Sequence, residues 1–366
     1  MSARSHAIPL TSQPGDGINP PRVTVVIPCL NEERYIMGCL DSLLANDYPT
    51  DLIEILVVDG MSDDGTRGIV REYEKKFPFI HILDNPERHT TRGLNRGITA
   101  ARGDVIVRVD AHSVYDPNYI TTVTLGLERH SADNVAGIRR TALIRDSAMS
   151  LALCLAISNP FTAGNAHYRI GSGRVREVDT SYCGAYRRSL FERIGLINER
   201  FNRAEDREFH ARVLHAGGRI ILDPSTSCTY YPRTSLATYA KWNAHGAFFL
   251  FFNHLYTDLN LIRWRNLAPA ALTLVTVLAV LGVFVGPRWV ILLLGLPVAA
   301  YMVLAAVVAG VLAIRHRSVL LWPAMIIVFL VTHFGYGLGT LFATPWYVVS
   351  RVRTTEGRRY IPRLRN

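Results

Sequence analysis

Residues 53–66 read Ile53-Glu-Ile-Leu-Val-Val-Asp59-Gly60-Met-Ser62-Asp63-Asp64-Gly65-Thr66. An apolar, β-branched run ends on a carboxylate and passes into a turn of Gly, Ser and Asp. A strand of that composition is covered on both faces, as in parallel sheets. The pattern repeats on either side. Residues 23–28 (VTVVIP) make another such strand, and Ile36, Cys39, Leu40, Leu43 and Leu44 follow at helical spacing within 32–45. A second helix is expected over 63–77, a third strand over 79–83, a helix over 90–101 and a fourth strand, DVIVRVD, over 104–110. This alternation predicts βαβ units and an α/β, Rossmann-like, mostly parallel sheet. Ligands of such sheets bind beyond the carboxyl ends of the strands. The polar clusters fall there, at residues 31–33, 59–66 and 110–113.

The later part of this region is less regular. Residues 148–157 form an apolar helix, suited either to a core or to an interface, and a Gly/Asn/Pro-rich loop follows. Residues 187–194 and 205–216 read as helices, the second closed by Gly217-Gly218. Strands are expected over 219–223 and 226–231.

Composition then divides the chain. It has 366 residues, 49% hydrophobic and only 19% charged, with a mean hydropathy of +0.15. The apolar excess is local. Residues 267–366 carry nine arginines and one glutamate, a net of +8, leaving +2 of the total +10 to the first 266 residues. The basic pI therefore belongs to the apolar part, and nucleic-acid binding loses its main support. Spans are expected at 267–285 and 289–314, each close to or above the roughly 20 residues a bilayer requires. Residues 319–343 contain Pro323, His333 and a Gly-rich run at 335–339, which suits either a third span or a re-entrant segment. Arginines 351, 353, 358, 359, 363 and 365 favour a cytoplasmic tail, and a re-entrant third segment would accommodate that. Residues 242–264 are crowded with aromatics but broken by Asn253, His254 and Asp258, as in a helix lying among headgroups. A transporter or channel is disfavoured, because no acidic residue lies between 267 and 343.

The expected organisation is a disordered lead over 1–22, a catalytic domain over 23–240, an interfacial aromatic helix over 241–266, membrane segments over 267–349 and a basic tail over 350–366. The lead has no apolar run of the kind a signal peptide carries. Cys29, Cys39, Cys154, Cys183 and Cys228 are odd in number and scattered. Neither a disulfide framework nor a zinc cluster fits them, and a reducing compartment is expected.

Three clusters carry chemistry. Asp59, Ser62, Asp63 and Asp64 offer hydrogen-bonding groups for a base or ribose, although the same residues make ordinary turns. Asp110 and His112, two apart after a strand, can ligate a divalent cation that neutralises a leaving diphosphate. Glu205-Asp206 opens a helix, where a general base could stand and where the dipole alone also favours acids. Arg92 and Arg96, one turn apart, read as a solvated face more readily than as a phosphate site.

Taken in order, these residues resemble the family 2 glycosyltransferases of the GT-A fold. Pro28-Cys-Leu-Asn31-Glu32-Glu33 is similar to that family's first motif, and residues 57–66 to its second. Residues 94–104, running into Val109-Asp110-Ala-His112, are similar to its third. Phe201-Asn-Arg-Ala-Glu205-Asp206-Arg-Glu208-Phe209, with Arg212 and Ala216-Gly217-Gly218, resembles the acidic helix of succinoglycan-type exopolysaccharide glucosyltransferases. The resemblance covers about residues 23–250 and continues loosely into 333–339.

It implies a UDP-sugar donor held by Pro28, Asn31, Glu32, Asp59, Ser62, Asp64 and Asp110, with Asp59 on the uracil. It implies a divalent cation, Mn²⁺ or Mg²⁺, on Asp110 and His112. The family usually has an Asp where His112 stands, and imidazole suits Mn²⁺ better than Mg²⁺. Asp206 is the implied general base for inverting transfer of a hexose, glucose by resemblance, to a polyprenyl-diphosphate-linked saccharide. The implied setting is a multi-pass protein of the bacterial inner membrane whose catalytic domain faces the cytoplasm, with other exopolysaccharide assembly proteins as further partners. Two alternatives stand: transfer directly to polyprenyl phosphate, and a non-catalytic membrane scaffold. Only the basic-aromatic end of a processive synthase's Gln-x-x-Arg-Trp motif survives near Tyr231-Pro-Arg233 and Lys241-Trp242, which counts against a polymerase.

Overall fold

The computed structural model describes residues 19–353 except 144, 202, 233–234 and 255–256. Arg233, the tail beyond 353 and most of the N-terminal lead thus lie outside the described residues. Two compact units emerge. One consists of residues 19–140 and Ala166–Tyr230, the other of Thr141–Asn165 and residues 231–353.

In the first unit the predicted alternation is present: β1 (Val23–Cys29), α1 (Ile36–Leu44), β2 (Ile53–Asp59), α2 (Thr66–Lys76), β3 (Ile80–Asp84), α3 (Thr90–Ala100) and β4 (Val105–Arg108). Strands β3, β2, β1 and β4 are neighbours in that order and all pair in parallel. The register sets Cys29 beside Asp59 and Asp59 beside Asp84, so the three strand ends align. Alternate residues of β1 feed two cores, as a period of two requires. Val23, Val25 and Ile27 pack with Ile36 and Leu40, whereas Val26 packs with Leu94 and Ile98.

Beyond β4 the sheet becomes mixed. The next elements are β5 (Ser113–Tyr115), α4 (Tyr119–Arg129) and β6 (Asn134–Thr141). After the chain returns come α7 (His167–Ile170), β7 (Arg176–Glu177), β8 (Gly184–Arg187), α8 (Arg188–Ile194), α9 (Glu205–His215) and β9 (Ile220–Tyr230). β8 runs antiparallel to both β4 and β6, while β5 and β7 run antiparallel to β9. The two strands expected over 219–223 and 226–231 are one strand, β9, which continues through Pro224.

The second unit holds α5 (Ala148–Ile157) and α6 (Pro160–Ala163), with α10 (Leu236–His254), α11 (Trp264–Val285), α12 (Arg288–Arg315) and α13 (Leu321–Arg353). Helices spanning Trp264–Phe284, Arg288–Arg315 and Leu321–Pro345 are each long and apolar enough to cross a membrane. The third apolar stretch is thus part of one unbroken helix, α13. Its Gly-rich run is a packing surface. A methyl group at Gly339 would meet the Ala244 carbonyl of α10, and one at Gly337 would meet Thr273 of α11. Small residues let helix backbones approach closely in just this way. α5 is a core helix of this unit: Ala152, Leu153, Ala156 and Ile157 are buried with Met325, Val328 and Phe329 of α13. His333 is held between the Tyr301 hydroxyl (2.9 Å) and the Phe161 carbonyl (3.0 Å).

Candidate active site

The aligned ends of β1 and β2 are fastened to each other by their own turn residues. The Asn31 side chain donates to Asp63 (2.7 Å) and accepts from the Asp63 amide (3.0 Å). The Asn31 amide donates to Ser62 Oγ (2.8 Å), and the Glu32 amide to Thr66 Oγ1 (2.8 Å). Asp64 accepts from the Glu33 amide (3.1 Å) and from the Thr66 amide (2.9 Å). Burial acts to raise the Asp64 pKa, but these hydrogen bonds outweigh it and hold the carboxyl below its ordinary value. Asn31 and Met61 both take positive φ, 57° each, where the chain reverses sharply. Pro28 is half-buried, one residue before the end of β1.

Asp59 is fully buried and fully engaged. Its carboxylate accepts from the Ser62 amide (3.0 Å), the Ser62 hydroxyl and Arg67 Nη1 (2.5 Å), while Arg67 also reaches Asp84 (2.8 Å). In this geometry Asp59 organises the turn. Contact with a base edge requires Ser62 or Arg67 to give way.

Asp110 and His112 follow β4. The Asp110 amide donates to Tyr115 Oη at 2.8 Å. Burial favours the neutral acid there, yet Arg108, His112, Tyr182 and Arg139 together keep the Asp110 pKa below its ordinary value. His112 Nδ1 lies 3.1 Å from Glu32 Oε1, so the first motif orients the imidazole of the third. A carboxylate behind a ring nitrogen is the usual support of a metal-bound imidazole. Among the described residues no group of three or more His, Cys, Asp and Glu could hold an ion alone. Asp110 and His112 are of the residue types that ligate a divalent cation, with Glu32 behind the imidazole.

The acidic helix meets this site through Arg108. Its Nη2 lies 3.7 Å from Asp110 Oδ1 and 3.2 Å from Glu205 Oε1, with only 16% of the side chain exposed. Burial opposes the guanidinium charge, while Asp110, Glu205 and Asp206 hold it. Glu205 is pushed up by burial and by Asp206, against the pull of Arg108. Asp206 is half-buried and lines a small, mostly apolar cavity with Arg108, Tyr186 and Phe209. Ala204, in the left-handed region at φ 58°, turns the chain into α9 immediately before the two acids. Such a conformation is uncommon for a residue with a Cβ.

A single domain thus holds a pair of interlocked turns at the ends of β1 and β2, a carboxylate and an imidazole following β4, and a helix-start acid joined to them through Arg108. The Glycosyl transferase family 2 profile matches residues 24–195. The chain carries a family 2 glycosyltransferase domain. It is 31% identical over 214 residues to the succinoglycan biosynthesis protein ExoA of Rhizobium meliloti, a match covering 58% of this chain and 64% of that protein. A second relative is the dolichyl N-acetyl-alpha-D-glucosaminyl phosphate 3-beta-D-2,3-diacetamido-2,3-dideoxy-beta-D-glucuronosyltransferase of Methanococcus voltae. It is 27% identical over 225 residues, covering 60% of this chain and 70% of the relative. Among solved structures, the mannosyltransferase PcManGT of Pyrobaculum calidifontis, seen with GDP-Man and Mn²⁺, superposes with a TM-score of 0.60. It is 21% identical and covers 88% of each chain, a likeness of fold.

Sequence reasoning missed several residues of this glycosyltransferase domain. Arg108 sits inside an apolar strand, two before Asp110 and hence on the same face, which was the available signal. Arg67 carried no signal, since a helical Arg eight residues beyond Asp59 resembles any surface cation. Arg92 and Arg96 make exposed pairs with Glu199 (3.6 Å) and Glu87 (3.1 Å), consistent with a solvated face.

Proposed function

We propose that the chain is a membrane-bound inverting glycosyltransferase. It moves a hexose, glucose by resemblance, from a UDP-sugar to a polyprenyl-diphosphate-linked saccharide in exopolysaccharide biosynthesis. The observation that carries this reading is the Arg108 bridge, which holds Asp110 at the strand end and Glu205, 97 positions beyond Arg108, at the helix start beside Asp206.

Pro28, Asn31, Glu32, Asp59, Ser62 and Asp64 are assigned to the nucleotide side of the donor. Asp110 and His112 are assigned to a divalent cation shared with the diphosphate. When bound, that cation neutralises the charge growing on the departing UDP. Asp206 takes the proton from the acceptor hydroxyl as that oxygen attacks the anomeric carbon from the face opposite the diphosphate. The C–O bond to UDP breaks in the same displacement, and the anomeric centre inverts. Glu205 keeps its proton more readily than a free glutamic acid, since it is buried beside the Asp206 carboxylate, with the Arg108 guanidinium opposing.

The lipid-linked acceptor is supported by the three apolar helices and by the name of the archaeal relative, which concerns a lipid-phosphate-linked sugar. An enzyme held at the bilayer gains effective concentration for such an acceptor. An inner-membrane location with the glycosyltransferase domain in the cytoplasm, where nucleotide sugars are made, completes the proposal.

The test incubates membranes containing the protein with radiolabelled UDP-glucose, UDP-galactose and UDP-N-acetylglucosamine, Mn²⁺ and added lipid-linked saccharide. Label in the lipid extract from one donor, reduced about a hundredfold or more in Asp206→Asn, is the expected result. No lipid label from any donor would overturn the reading. Equal label in variant and wild type would remove Asp206 from the base role.

A further inference from the structure

Arg139 lies near the end of β6, only 4% exposed. Its Cζ sits over three tyrosine rings, at 5.6 Å from the centroid of Tyr168, 5.0 Å from Tyr182 and 4.6 Å from Tyr230. Aromatic faces attract a cation, but they satisfy none of its N–H groups. Nε and Nη2 of Arg139 are buried without a hydrogen-bond partner. A buried guanidinium left in that state is costly, and it persists where something else supplies acceptors.

The surroundings indicate what that something is. Arg169 Nε donates to Tyr168 Oη at 2.8 Å, and its own Cζ lies 5.2 Å from the Tyr168 centroid. Arg139, Arg169 and Arg207 all favour ionisation of the Tyr168 hydroxyl and together outweigh its burial, so its pKa lies below the ordinary value. Arg139 and Arg169 both lie against the Tyr168 ring. The same group feels Asp206 as a neighbouring charge. Tyr182 links it to Asp110, and the Tyr230 ring takes the edge of His112 at 5.4 Å.

We propose that Arg139, flanked by Arg169 at the Tyr168 ring, is an oxyanion seat that binds the phosphate of the lipid-linked acceptor. Planar guanidiniums match phosphate oxygens two at a time. The aromatic cage excludes water and keeps the fork fixed. A phosphate held there orients the acceptor so that its sugar hydroxyl is presented to Asp206. The inference rests on the glycosyltransferase reading for the direction of transfer, but the seat itself is a matter of phosphate binding. The same chemistry could serve the diphosphate of the donor, and the experiment separates the two.

Full-length protein in detergent is titrated calorimetrically with farnesyl diphosphate, farnesol and UDP. Wild type should bind farnesyl diphosphate and not farnesol. Arg139→Gln and, independently, the half-buried Arg169→Gln should weaken farnesyl diphosphate about tenfold or more while leaving the affinity for UDP unchanged. Loss of UDP affinity with farnesyl diphosphate unchanged would overturn the assignment and give the seat to the donor. Wild type binding farnesol as well as farnesyl diphosphate would overturn it too. So would Arg169→Gln, folded, binding both phosphates normally. Failure of the glycosyltransferase reading shows differently, as wild type that binds farnesyl diphosphate yet transfers no sugar.

Discussion

His210 lies one turn beyond Asp206 on α9, where i and i+4 side chains share a face. It is buried among hydroxyls: Thr180 Oγ1 is 3.0 Å from Nδ1, and Tyr186 Oη is 2.9 Å from Nε2. Burial pushes its pKa down to about 4 from 6.5, with the Arg108 charge acting in the same sense and Asp206 opposing. The folded protein therefore holds a neutral ring, while the unfolded chain protonates near 6.5. Stability from this residue is complete above pH 6.5 and is lost as pH falls toward 4. The linkage amounts to about 3 kcal/mol over that window. Thermal unfolding of wild type should fall more steeply than that of His210→Gln between pH 6.5 and 4.5. A pH-independent gap between the two would refute the assignment. At this scale the sequence was partly legible. Asp110, His112 and Asp206 stood at the places strand ends and helix starts dictate. Arg139 and His210 did not, because their meaning lies in tyrosines and serines from strands far away in sequence, and no local pattern encodes which side chains will surround them.

Among the elements, the parallel half of the sheet was readable because each strand is a continuous apolar run with its helix directly after it. The antiparallel half was not, since β7 and β8 are short and interleaved with loops. The Gly-rich run of α13 was read as weakening a span, although it is a seam. Glycine lowers helix propensity everywhere, and only a neighbouring helix turns that loss into close packing. Gly339→Ala should push α13 away from α10, lowering stability by about 1–3 kcal/mol as overpacking does. Leu338→Ala, one position away and 44% exposed, should matter far less. Melting temperatures in detergent compare the two. Equal effects would mean that the Gly339–Ala244 approach does not hold these helices together.

For the molecule as a whole, an α/β unit and a unit of apolar helices are present, but among the described residues the chain does not pass from one to the other once. It crosses at Arg140/Thr141, again at Asn165/Ala166 and finally at Tyr230/Tyr231. The inserted stretch could not be assigned from sequence because its partners lie far downstream. A chain truncated after residue 235 should therefore not behave as a soluble domain. It would retain α5 while lacking Met325, Val328 and Phe329, which bury Ala152, Leu153, Ala156 and Ile157. Recovery mainly in the detergent-requiring fraction is expected. Replacing residues 141–165 by a short Gly/Ser linker should restore solubility to the truncated form, and failure to do so would place the apolar surface elsewhere.

The bond between Phe161 and His333 spans 172 positions. A ribosome adding about 5–20 residues per second needs on the order of ten seconds or more to cover that distance. Through that interval the nascent sheet has every strand it needs once Tyr230 has emerged, whereas α5 has no partner. Synthesis thus imposes a schedule in which the glycosyltransferase domain matures first. The inserted α5 and α6, which belong with the downstream helices, wait exposed through that interval.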